Sequence, residues 1–171
     1  MLAEEWYVRT YWFYGHEFGG GWGGWSYAGK FPSGRIMAFD DDGIFGYGRT
    51  VIGGGPTGHK ADQYQLYKND GWSDEQSPIV RAMVKAGDKV VAAGPVDLRE
   101  KSSRLLAYEN EEEALASFKG EKGVVMRVVS ARDGTVLSEQ TIDAVPAFDG
   151  MSAADGAVFI ALKNGELQCW K

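Results

Sequence analysis

A pattern that recurs three times constrains this chain more than any other feature. It runs Met37-Ala-Phe-Asp-Asp-Asp-Gly-Ile-Phe-Gly-Tyr-Gly48, Met83-Val-Lys-Ala-Gly-Asp-Lys-Val-Val-Ala-Ala-Gly94 and Met151-Ser-Ala-Ala-Asp-Gly-Ala-Val-Phe-Ile-Ala-Leu162. Each copy reads as a short strand, an Asp/Gly turn and a second strand. An apolar pair stands seven and eight positions after each Met: Ile44-Phe45, Val90-Val91 and Val158-Phe159. Self-similarity at a fixed period decides architecture before any single residue does.

The intervals carry the next inference. Met37 and Met83 are 46 residues apart, Met83 and Met151 are 68 apart. The surplus of 22 matches a charged, helical stretch from Leu98 to Lys119, which reads as an insertion. Both intervals then come to about 46, inside the roughly 40–50-residue period of four-stranded propeller blades. The expected fold is all-β: a partial propeller of about three four-stranded antiparallel blades with one short inserted α-helix. A β-sandwich or meander with coincident hairpin spacing is the competing architecture.

Within a single domain, residues 1–33 form an aromatic, Gly-rich segment and 34–76 a first blade. Residues 77–142 form a second blade with a helical insertion at 98–120, and 143–171 an incomplete third. Hairpin turns are expected at Asp40-Asp41-Asp42-Gly43, Asn69-Asp70-Gly71, Asp133-Gly134 and Lys163-Asn164-Gly165. In the insertion, Asn110 and Glu113 have capping-box spacing, Gly120 follows the last turn, and Leu115 and Phe118 are placed toward the body. Glu109, Glu111, Glu112 and Glu113 suit the positive end of the helix dipole. The third unit ends one strand short of four. That points to a chain continuing a longer propeller or pairing with another copy, with Trp6–Tyr14 available as a fourth strand.

Composition narrows the function. A formal net charge of −6 with scattered Lys and Arg argues against nucleic-acid binding. No apolar stretch is long enough for a membrane span, and the opening residues lack the pattern of a signal peptide. The lone Cys169 has no intramolecular disulfide partner and is expected as a buried small hydrophobe.

The third unit, Val145-Pro-Ala-Phe-Asp-Gly-Met-Ser-Ala-Ala-Asp-Gly-Ala-Val-Phe-Ile-Ala-Leu-Lys-Asn-Gly-Glu-Leu-Gln-Cys-Trp170, resembles a blade of the quinoprotein (PQQ-like) β-propeller superfamily. Arg9-Thr-Tyr-Trp12, Tyr14-Gly15, Gly21-Trp22-x-Gly-Trp25, Ala28-Gly-Lys30, Gly34-Arg35 and Gly46-Tyr-Gly-Arg49 resemble the carboxy-terminal part of large bacterial PQQ-like propeller proteins. The resemblance implies the last blades of a seven- or eight-bladed propeller, in the periplasm or secreted. It does not imply a bound quinone. The vicinal Cys-Cys disulfide of quinoprotein dehydrogenases cannot form with one Cys, and no calcium ligand set can be placed.

The candidate ligand-binding residues are Trp12, His16, Trp22, Trp25 and Tyr27. Ten of the twenty-two residues from Trp6 to Tyr27 are aromatic, set among glycines. Aromatic faces on a loop suit stacking on a sugar ring or a protein surface, and equally suit packing between blades. His16 and His59, the two histidines, lack metal-ligand spacing. Asp40-Asp41-Asp42 lacks the alternation of a calcium loop. Neither a phosphate-binding loop nor a Gly-x-Ser-x-Gly elbow is present. No catalytic, metal or cofactor residues are assigned. The expected role is a non-catalytic binding or interaction scaffold; part of a quinoprotein-like oxidoreductase or carbohydrate-active enzyme is the alternative.

Overall fold

The computed structural model describes residues 12–13, 33–48, 65–98 and 110–171. Along the chain lie β1 (Trp12–Phe13), β2 (Ser33–Gly34), β3 (Ile36–Asp40), β4 (Gly43–Gly48), β5 (Gln65–Lys68) and β6 (Ser73–Asp74). There follow β7 (Ala82–Ala86), β8 (Lys89–Pro95), α1 (Glu111–Phe118), β9 (Val124–Ser130) and β10 (Val136–Thr141). The last elements are β11 (Pro146–Ala154), β12 (Ala157–Leu162) and β13 (Leu167–Trp170). Among the described residues, three antiparallel sheets of three or four strands stand beside the two-stranded β1–β2 pair, each with its strands in chain order: β3 to β6, β7 to β10, and β11 to β13.

The repeat is reproduced in the register of the first hairpin of each sheet. Met37 pairs with Gly46, Met83 with Ala92 and Met151 with Ile160, nine positions later in every case. The turns differ while the register holds. Asp155 and Gly156 both take left-handed φ (51° and 73°), as a type I′ turn requires, and Gly87 alone does so in the first hairpin of the second sheet (59°).

The apolar pairs now have a physical meaning. Successive strand residues point to opposite faces, so two adjacent apolar residues belong to a strand covered on both sides. Val90 and Ala92 of β8 pack with Phe45, Tyr47 and Leu66 of the first sheet. Val91 and Ala93 pack with Ile160 and Leu162 of the third. Each fully buried side chain of this kind contributes about 1.5–3 kcal/mol. The second sheet is therefore the middle layer of three. Its strand β7 lies against the first strands of both neighbours, β3 and β11.

Gly94 makes the close approach before β7 possible. A Cβ there would stand 1.9 Å from the Ile79 carbonyl oxygen. The approach is tied by Ile79 N to Pro95 O and Arg81 N to Ala93 O, both 2.8 Å.

Helix α1 interrupts the second sheet between β8 and β9, as the spacing surplus predicts; residues 99–109 lie outside the described residues. Asn110 Oδ1 accepts from Glu112 N (2.9 Å) and Glu113 N (3.3 Å). The Glu113 carboxylate lies 3.7 Å from Lys122 Nζ. At the other end Gly120 N donates to Ser117 O and Glu121 N to Ala116 O, a Schellman closure with Gly120 at φ 84°.

Three expectations need correction. The inward face of α1 is Ala114 and Ser117, with Ser117 Oγ donating to Val96 O at 2.6 Å; Leu115 and Phe118 are 55% and 46% exposed. Small residues let the short helix lie close to the end of β8, which turns the larger ones outward. Trp12 and Phe13 pair with Gly34 and Ser33, next to the first sheet, so these residues do not complete the third. Closing the shorter loop costs less chain entropy. Cys169 is exposed, because β13 is an edge strand whose outward face no element covers among the described residues.

Candidate functional site

Of the sequence-predicted ligand residues, His16, Trp22, Trp25 and Tyr27 lie outside the described residues, as does His59. Trp12 is placed by its backbone alone, opposite Gly34. The described residues direct attention instead to the junctions between sheets, at the end where the first hairpins turn.

At the first junction a cation closes the gap. Lys85, on β7, carries a side chain only 7% exposed, and its Nζ reaches back to the hairpin of the preceding sheet. It binds the carboxylate of Asp40, that of Asp42 at 3.1 Å, and the carbonyl of Gly87. Asp42 N donates to Asp40 Oδ1 at 2.9 Å, so the acidic run is an Asx turn holding two carboxylates toward one ammonium. Burial disfavours the Lys85 charge, but the two carboxylates outweigh it and its pKa is raised. The same hydrogen bond from Lys85 holds the Asp40 carboxyl below the usual aspartate range. Lys85 Nζ also lies 5.5 Å from the centre of the Phe45 ring.

The second junction lacks this latch. The residue two positions after the Met is Lys85 in the second repeat and Ala153 in the third. Ala86 and Asp88 stand where the first copy has Asp40 and Asp42, and Ala86 lines the gap together with Ala153. With a methyl group in place of the ammonium the gap stays open, as a cleft of about 630 Å³. Its apolar floor includes Val91, Met126, Val128, Val158 and Trp170. Ser138, Gln140, Lys89 and Lys171 bring polar groups to its mouth. The Trp170 Nε1–H is buried without a hydrogen-bond partner, a donor with its desolvation cost unrelieved.

The arrangement offers shape and apolar surface, with polar side chains at the rim. Among the described residues no set of three His, Cys, Asp or Glu side chains converges as metal ligands. Among them, too, no helix is long and apolar enough to cross a membrane. Reading each residue alone missed this site, since Ala153 carries no chemistry. Aligning the three copies exposes it, because Lys85 has no counterpart in the third. No protein-family model, curated protein or solved structure matches the chain.

Proposed function

We propose that the chain is a run of successive β-propeller blades, similar to the quinoprotein (PQQ-like) superfamily, that acts as a non-catalytic binding scaffold. The supporting architecture is three meandering sheets stacked face to face, with equal hairpin register and first strands side by side. In a propeller the first strands surround the axis and the sheets radiate from it. The observation that carries the binding role is the unlatched junction. Two sheet pairs built to one plan differ in that one is pinned by Lys85 and the other leaves a cleft lined by Val91, Met126, Val158 and Trp170. Sites of this kind, concave and mostly apolar with a few polar groups, are where small ligands bind.

The test uses 1-N-phenylnaphthylamine, a neutral fluorescent dye whose uptake does not depend on added charge. The wild-type chain takes it up with enhanced emission. Ala153→Lys, which puts an ammonium where the second copy has Lys85, and Ala153→Trp, which fills the cleft, both abolish uptake without lowering Tm. Equal dye uptake by wild type and both variants overturns the assignment of the cleft.

A further inference from the structure

The repeats diverge at a second place, two positions before the Met, where Arg35, Arg81 and Asp149 stand. These residues sit at the end of the first hairpins opposite the cleft. Arg81 O accepts from Asp149 N at 2.8 Å, which ties the second sheet to the third. Asp149 has a left-handed φ of 56°, within a stretch of β11 where pairing to β12 shifts between Pro146 and Met151. Bulges of this sort re-aim side chains, and strained non-Gly residues gather at functional places. Here Phe148 is turned outward, 52% exposed, with its ring centre 5.6 Å from the Arg81 guanidinium.

The guanidinium itself is incompletely satisfied. Arg81 Nε is buried and has no hydrogen-bond partner. Burial and then the nearby charge of Arg35 lower the Arg81 pKa. Among the described residues, the ion pairs involve neither arginine. Two neighbouring cations without an acid between them repel, and one anion bound by their terminal nitrogens relieves that repulsion.

We propose that Arg35, Arg81 and Phe148 form a binding site for a small organic carboxylate. The carboxylate bridges the guanidinium groups in charge-assisted hydrogen bonds, and the apolar body of the ligand lies on the exposed Phe148 ring. A free phosphate satisfies the arginines but has nothing to place on the ring. The site does not depend on the cleft or on the propeller reading.

The experiment is calorimetric titration of the full chain at low ionic strength with benzoate and, separately, inorganic phosphate. Benzoate binds in the millimolar range or tighter, and phosphate binds more weakly. Arg35→Gln, at an exposed position, weakens benzoate binding about tenfold, the loss of one charged hydrogen bond, while Tm without ligand does not fall. Phe148→Ala weakens benzoate and leaves phosphate unaltered. Three results overturn the proposal: no heat from benzoate across the millimolar range, benzoate binding indifferent to Arg35→Gln, or phosphate binding as tightly as benzoate. The last reassigns the site to phosphate.

Discussion

Arg127 is the side chain that fastens the outer strands of the first two sheets, and its removal is a quantitative test of how those sheets are joined. It stands on β9 with 13% of its side chain exposed. Its guanidinium donates to Asp74 Oδ2 at 2.6 Å and Gln76 O at 2.9 Å in the first sheet, and to Glu139 Oε2 at 2.6 Å on β10. Burial opposes its charge, but the carboxylates of Asp74 and Glu139 more than compensate, and its pKa is raised. Arg127→Met keeps the apolar stem and removes the charge. Glu139, 41% exposed, is rehydrated at little cost, whereas Asp74, 12% exposed, loses its counter-ion where water enters poorly. A fully buried broken pair costs about 3–5 kcal/mol and an exposed one about 0–1. For this geometry we expect about 2–3 kcal/mol, or about 4–12 °C in Tm for a chain of this size. Denaturant unfolding followed by tryptophan fluorescence, with Asp74→Asn and the double variant, completes the cycle. The coupling between the two sites is expected at about 1.5 kcal/mol. Additive single-variant effects, or a loss below about 0.5 kcal/mol for Arg127→Met, refute the view that this arginine joins the sheets.

Two further outcomes follow from geometry already described. Gly94→Ala forces a Cβ to within 1.9 Å of the Ile79 carbonyl and breaks the two hydrogen bonds before β7. It is expected to destabilise the fold by about 3 kcal/mol or more in the same unfolding assay. The Lys85 latch predicts the pH dependence: the Asp40 carboxyl is depressed from 3.8, so its contribution is present above that value and fades as acid protonates it. The Lys85 pKa is raised from 10.5, so the contribution is complete below that value and fades as pH rises further. A urea series across pH should show Lys85→Met with a shallower acid limb than wild type, and parallel limbs would remove the latch from the account.

Where local pattern and register coincide, the sequence was legible. The Met-to-hairpin repeat, the insertion between β8 and β9, the Asn110 cap and the Gly120 stop depend on short-range rules, and the structure follows them. What depends on packing between distant segments was not. Leu115 and Phe118 have the i, i+3 spacing of a buried face, yet the helix docks through Ala114 and Ser117, with Ser117 Oγ bonded to the Val96 carbonyl. Cys169 sits in a strand pattern that reads as buried, but burial requires a covering element, and β13 is an edge. The pairing of Trp12–Phe13 with Ser33–Gly34 was equally invisible, since strand propensity does not name a partner.

The departures from repetition carry more information about the job than the repeat does. Four of the paired apolar residues of the second strands, Phe45, Val90, Val91 and Val158, belong to the clusters that stack one sheet on the next. Any residue that performs a task at only one junction must break the repeat. Two of the positions that break it in charge lie outside the turn: two after the Met, where Lys85 stands opposite Phe39 and Ala153, and two before it, where Arg35, Arg81 and Asp149 stand. The first decides which junction is pinned and which stays open. The second assembles two cations and an aromatic ring beside a bulge that the other first strands lack. Both lie at the ends of first strands, where a stacked array of sheets leaves side chains free of packing duty. A scaffold of equivalent units thus acquires individual sites at little cost to its core.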